Sequence, residues 1–256
     1  MWQPDGWDVR TRIGVITPHA DVGPESEIRA MAPATIGVHA ARVPFGAMAA
    51  GGAMDPTIPL APVAAFVEPP HIDDAVSLLA AAPLAVIGIG FTSSAYVTGA
   101  AAEAELVERL RSRASGVPVV PTCAAAVQAL RHVGASRISV VDPPWFDEEL
   151  DRLGAEYFSS QGFEVVSHAP CSLPSDQRSI EPAALHEWIR VHTPETAEAV
   201  FVGGNGFRSV GAIAALEESL ARPVCTANQV LLWGMLQAAG SPVPVPGYGQ
   251  LLSATA

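Results

Sequence analysis

The sequence predicts an α/β protein built from two Rossmann-like parallel-sheet lobes with pseudo-twofold symmetry and an interlobe active site. Three observations predict it. Short apolar runs alternate with amphipathic stretches along the whole chain, the pattern of parallel strands joined by crossover helices. The 256 residues suit one large or two smaller α/β units. The two halves also echo each other: an apolar strand enters Gly90-Phe91-Thr92-Ser93 in one and Gly203-Gly204-Asn205-Gly206 in the other, and each then continues through a helix, a Pro-Val strand and a second helix.

Ile13-Gly14-Val15-Ile16 reads as the first strand, ending at Thr17-Pro18, and Ile36 to Ala40 as the second. The Pro- and Gly-rich stretch from Pro44 to Pro59 reads as a loop. His71 to Ala82 has Ile72, Val76 and Leu79 at helical spacing. Leu84 to Gly90 is a buried strand, followed by a helix from about residue 100 to 113, a strand at Val117 to Val120 and a helix to Val133. Strands at Arg137 to Val141, Phe163 to Ser167, Ala199 to Val202 and Pro223 to Cys225 complete the pattern, with helices at 147–161, 182–193 and 230–239. The expected division is a first lobe over 1–115 and a second over 116–225. Residues 226–256 form a C-terminal helix and tail returning to the first lobe.

Composition removes several classes of function. Net charge is -12, whereas nucleic-acid binding needs clustered basic residues, so no nucleic-acid partner is expected. All 14 basic residues are Arg. Without Lys there is neither a Schiff-base amine nor a Walker A phosphate loop. The three cysteines form no CxxC and the seven histidines no metal spacing, so no metal is expected. No run approaches the ~20 apolar residues of a membrane span, and residues 1–12 carry no apolar signal segment, so the reading is a cytoplasmic protein without a membrane partner. A homo-oligomer is left open.

Gly88-Ile89-Gly90-Phe91-Thr92-Ser93 lacks the third glycine of a dinucleotide fingerprint, and no cofactor is expected. The turn can hold an anion on backbone N–H groups and hydroxyls, or Thr92 or Ser93 can simply cap the next helix. The second turn, Gly203 to Gly206, exposes backbone in the matching place, and together the two could stabilise an enolate oxygen. His19 and Asp21 follow the first strand and are the candidate acid/base groups. Cys123 and Cys225 each follow a Pro-containing strand, where a thiol either fills the core or faces the cleft as a relocated nucleophile.

Four groups of residues resemble a known family: Arg12 to Pro18 with Glu25; Thr92-Ser93-Ser94; Pro223-Val224 with Ala227-Asn228-Gln229 and Trp233; and Gly247-Tyr248-Gly249-Gln250-Leu251-Leu252. The chain resembles the maleate cis-trans isomerases and arylmalonate decarboxylases of the aspartate/glutamate racemase superfamily, nearly end to end. The resemblance implies cofactor- and metal-free chemistry on a small carboxylic acid or related carbonyl compound. In that family one or two cysteines move a proton or attack the substrate. Here the first cysteine would fall at Phe91 and the second at Gly204 or Asn205, and neither is Cys. The family's tyrosine would fall at Trp145 and its first-lobe asparagine at Asp21. The implied site is therefore Asp21, His19, Thr92 and Ser93 as catalytic residues. Phe91, Ser94, Trp145, Gly204, Asn205, Gly206, Cys123 and Cys225 would lie around the substrate. The implied reaction is isomerase- or decarboxylase-like, with a non-cysteine acid/base. The alternatives are a catalytically silent small-molecule-binding protein on the same scaffold, or a lyase or hydrolase with a repurposed pocket.

Overall fold

The structure is a computed structural model that describes residue 3 and residues 5–253. Its elements run β1 (Thr11–Pro18), α1 (Gly23–Met31), β2 (Ile36–Val43), α2 (Leu60–Phe66), α3 (His71–Leu79), β3 (Val86–Ile89), α4 (Thr92–Arg113), β4 (Val119–Pro121) and α5 (Thr122–His132). They continue with β5 (Arg137–Asp142), α6 (Glu148–Ser160), β6 (Glu164–Pro170), α7 (Pro182–His192), β7 (Ala199–Val202), α8 (Ile213–Leu220), β8 (Val224–Thr226), α9 (Ala227–Ala238) and α10 (Gly249–Ser253).

The eight strands form two four-stranded sheets, both parallel, in the orders β2-β1-β3-β4 and β6-β5-β7-β8. The orders are the same when β5 is set equivalent to β1, which is the pseudo-twofold relation the sequence predicts. The central strands β1, β3, β5 and β7 are almost wholly buried, as their unbroken apolar runs require. The helix after each fourth strand crosses to the other lobe. α9 packs on β3 and β4 of the first sheet and against α5. There Leu231, Leu232 and Met235 join Ile13, Val15 and Val86 in one apolar cluster.

Three local expectations are corrected. α1 lies between the first two strands, where the sequence reading assigns no element; Pro24 at its first positions costs no hydrogen bond. α2, also unassigned in the sequence reading, begins where the Pro-rich loop ends, directly after Pro59. α4 starts at Thr92 rather than near residue 100, because Gly99 (φ 82°) interrupts a helix that had already begun. Among the described residues, no helix is long and apolar enough to cross a membrane.

Candidate active site

A cavity lies where the carboxyl ends of β1, β3, β5 and β7 face one another, the position ligands favour in open parallel sheets. Each strand delivers a wall: Pro18 and Asp21 after β1, Gly90 to Ser93 after β3, Trp145 and Phe146 after β5, and Gly204 to Gly206 after β7. The enclosed space is about 30 Å³, room for a water molecule rather than a substrate.

The polar wall joins both turns. Phe91 precedes α4, and no side chain caps that helix, so its first-turn N–H groups remain available at the cavity. Thr92 does not cap; its hydroxyl reaches across and donates to Asn205 Oδ1 at 2.6 Å. This polarity is set from behind. Glu27 accepts from the N–H groups of Ser209 (2.7 Å) and Val210 (3.1 Å), and from Asn228 Nδ2 at 2.7 Å. Asn228 Nδ2 also donates to the Asn205 carbonyl, so Asn228 Oδ1 must accept from Asn205 Nδ2 at 2.9 Å. Asn205 Nδ2 has a second acceptor in Thr122 Oγ1, whose own proton goes to the Ile89 carbonyl. Thr92 therefore spends its proton on Asn205. The Ser93 hydroxyl makes no hydrogen bond among the described residues and is free to donate into the cavity. Asn205→Ala strands the Thr92 hydroxyl and Asn228 Oδ1 in a buried setting. It should lower the unfolding free energy in urea by about 1–3 kcal/mol.

Asp21 is the one ionisable side chain among the residues lining the cavity. It is 4% exposed, and its Oδ1 accepts from the Gly23 N–H at 2.8 Å. Burial pushes its carboxyl above the usual range; the Gly23 N–H, the Gln177 amide and the Arg42 guanidinium oppose the rise. Gln177 was missed in the sequence because it sits in a polar stretch, now a short 3-10 turn at Gln177–Ser179. A Cβ on Gly206 would stand 2.8 Å from Asp21 Oδ2 and closer still to the Gln177 amide, so these groups pack directly on bare backbone.

Opposite lies an apolar wall of Phe45, Met48, Met54, Ile58, Phe91 and Trp145. Phe91 packs against Phe66 and Phe45, with ring centroids 4.0 and 5.0 Å away. Four of these residues come from the loop between β2 and α2. That loop is fastened to the other lobe by the Ile58 N–H to the Trp145 carbonyl (2.9 Å) and by Ser175 Oγ to the Pro56 carbonyl (2.7 Å).

The structure thus brings Asp21, Phe91, Thr92, Ser93, Trp145, Gly204, Asn205 and Gly206 together around one space. It leaves four other candidates outside it. His19 is exposed, and its Nδ1 accepts from the Phe45 N–H at 3.1 Å. Ser94 Oγ turns back to the Phe91 carbonyl. Cys123 is buried, with its thiol 3.4 Å from the Thr92 carbonyl oxygen, and burial pushes the thiol well up, toward the protonated form. Cys225 is fully buried and pushed up to about 12, again mainly by burial. Gly204 adopts φ +77°, and a Cβ there would meet Pro143 Cγ at 2.7 Å. A cysteine at Gly204 would be strained and would press on Pro143. Gly204→Cys should therefore lower Tm in a thermal melt without placing a titratable thiol in the cavity.

A family model described as arylmalonate decarboxylase matches residues 66–252. The chain belongs to that family. The family model carries the name of a decarboxylase, and the curated relatives carry that of an isomerase. A maleate isomerase of Pseudomonas putida is 30% identical over 139 residues, 53% of this chain and 55% of that one, so the match spans about half the length of this curated relative. Among solved structures, a maleate isomerase from Pseudomonas putida with maleate superposes with TM-score 0.83 at 24% identity, covering 95% of this chain and 97% of that one. A Nocardia farcinica maleate cis-trans isomerase mutant with a covalently bound succinylcysteine intermediate gives 0.82 at 21% identity, covering 96% and 99%. Those likenesses establish the shared fold. Phe91 and Gly204 stand at the two turns of this chain's cavity, and none of the residues lining it carries a thiol.

Proposed function

We propose that this chain is a cofactor-independent enzyme that moves a proton on a small carboxylic acid or related carbonyl compound through an enolate-like species. The outcome is isomerase- or decarboxylase-like, and Asp21 takes the place of a cysteine. The observation that carries the reading is the placement of Asp21 as the one ionisable side chain on a cavity whose opposite turns offer unpaired donors. Among the described residues, the N–H groups of Gly204, Asn205 and Gly206 have no protein acceptor. With Ser93 and the first turn of α4 they form a preorganised set for negative charge on an enolate oxygen. The apolar wall suits the substituent of the acid.

In a decarboxylation the bond from Cα to the departing carboxylate breaks, its electron pair passes into the enolate, and Asp21 delivers a proton to Cα. The burial that raises the Asp21 carboxyl supports this role: a neutral acid neither repels a second carboxylate nor lacks a proton to give. Water then restores the proton. In an isomerisation at Cα the ionised carboxylate takes the Cα proton, the C–H electron pair passes into the enolate, and a proton from Asp21 or water returns to Cα.

The test is incubation in deuterium oxide with maleate, phenylmalonate and short α-substituted monocarboxylic acids, followed by NMR and mass spectrometry. Deuterium at Cα or loss of carbon dioxide supports the reading. A melting temperature raised by one of these acids, with no exchange and no conversion of any, overturns it in favour of a silent binding protein.

A further inference from the structure

A second space adjoins the cavity. A crevice of about 530 Å³ opens between α1 and the segment 206–211, and it shares Gln177 and Gly206 with the cavity as lining residues. The partition is one layer thick. A Cβ on Gly23 would lie 3.1 Å from Asp21 Oδ1, 3.2 Å from the Gly206 Cα and 3.3 Å from the Asn205 carbonyl oxygen. Gln177 completes the partition with a half-buried side chain hydrogen-bonded to the Asp21 carboxylate.

The chemistry of the crevice is amphiphilic. Val22, Ala30, Pro182 and Val210 give it apolar walls. Its floor is Glu27, whose carboxylate already accepts three hydrogen bonds and leaves no attraction for a second anion there. Arg208 stands exposed at its edge. It donates to the Ile180 carbonyl at 3.3 Å and has no acidic partner among the described residues. Arg178, also on the crevice, lies 3.7 Å from Asp176 and is already engaged. A guanidinium without a carboxylate, in a chain of net charge -12, marks where an external carboxylate is favoured. Arg208 follows Asn205 by three residues, so their backbones are at most about 11 Å apart, within the span of a medium-length diacid.

We infer that the crevice holds the distal end of an elongated substrate, with an apolar chain along its walls and a terminal carboxylate on Arg208, and that Gln177 is the gate between this subsite and the reacting end. The inference rests on the proposed proton-transfer site and narrows its substrate class to aliphatic or aryl acids bearing a second carboxylate remote from the first.

The experiment is calorimetric titration of the full chain with unbranched dicarboxylates from succinate to suberate, and with the monocarboxylates of equal length. Affinity should rise at least tenfold from succinate to the longer diacids and far less along the monocarboxylates. Arg208→Ala should remove at least tenfold of the long-diacid affinity and leave succinate unchanged. Ser26→Trp, which plugs the crevice from the exposed face of α1, should do the same. A series flat with chain length, equal gains along both series, or long-diacid binding indifferent to Arg208→Ala overturns the inference. The deuterium experiment separates the two claims. Exchange on a short acid with a flat series leaves proton transfer standing and removes the subsite. A steep, Arg208-dependent series without exchange does the reverse.

Discussion

Asp21→Asn should reduce proton exchange or turnover by about 10²–10⁴-fold, the usual contribution of a positioned acid or base. The fold should survive, because Asn keeps the oxygen that accepts from the Gly23 N–H. Ligand binding should survive as well, since the donors of both turns are untouched, so the loss should fall on kcat more than on KM. The pH profile reports the role. If Asp21 delivers the proton, activity present at low pH is lost as pH rises through its raised pKa; if the ionised carboxylate removes a proton, activity is lost as pH falls through it. In either case the limb disappears in Asp21→Asn. A variant within tenfold of the parent would remove Asp21 from the reaction.

Stability should fall, rather than rise, as pH increases from about 4.5 to 7. Burial pushes both Glu27 and Glu103 up from 4.5 to about 7. In that window the folded chain holds protons that the unfolded chain has released, so each step up in pH favours unfolding. Each shift corresponds to about 3 kcal/mol between the two ends of the window. The fully buried Asp142, raised by burial and by neighbouring Asp151, acts in the same direction. Glu198 opposes them at lower pH. Hydrogen bonds from the Ser136 and Arg137 N–H groups hold it at about 2, so its contribution is present above 4.5 and lost as pH falls through 2. The expected optimum therefore lies near pH 4.5–5. Urea titrations at pH 5 and 7.5 measure the fall. Glu103→Gln, which keeps an acceptor for the Tyr157 hydroxyl, should remove a part of it and leave the part due to Glu27, Asp142 and Asp21. A profile flat from pH 5 to 7.5 would show both glutamates ionised throughout.

The strands were legible because each is a short apolar run with Gly or Pro punctuation, a signal local to a few residues. The helices that escaped notice begin at Pro24 and Pro59-Leu60-Ala61-Pro62, where the same punctuation has the opposite meaning. At the site, Asp21, Ser93 and the second turn could be read because they follow strands at corresponding places. Gln177 could not, since a polar residue in a polar stretch gives no sign of the carboxylate it will meet. Nor could the direction of the Thr92 proton. It depends on Glu27 and Asn228, brought within 2.7 Å of each other although 201 positions apart in the chain.

The position of α9 bears on how this molecule comes into being. The first sheet lacks its cover over β3 until residues 227–238 arrive. During synthesis the ribosome therefore releases the first half with β3 and β4 uncovered on the face where α1 covers only β1 and β2, and the second half is nearly complete before that gap closes. Exposed apolar strands such as β3 are a target for chaperones and for association with other nascent chains. The long sequence separation of the closing contact also makes the final step slow. Splitting the gene between β4 and β5 would give two fragments that each lack a helix the other carries. They should be insoluble when expressed apart and recover when expressed together.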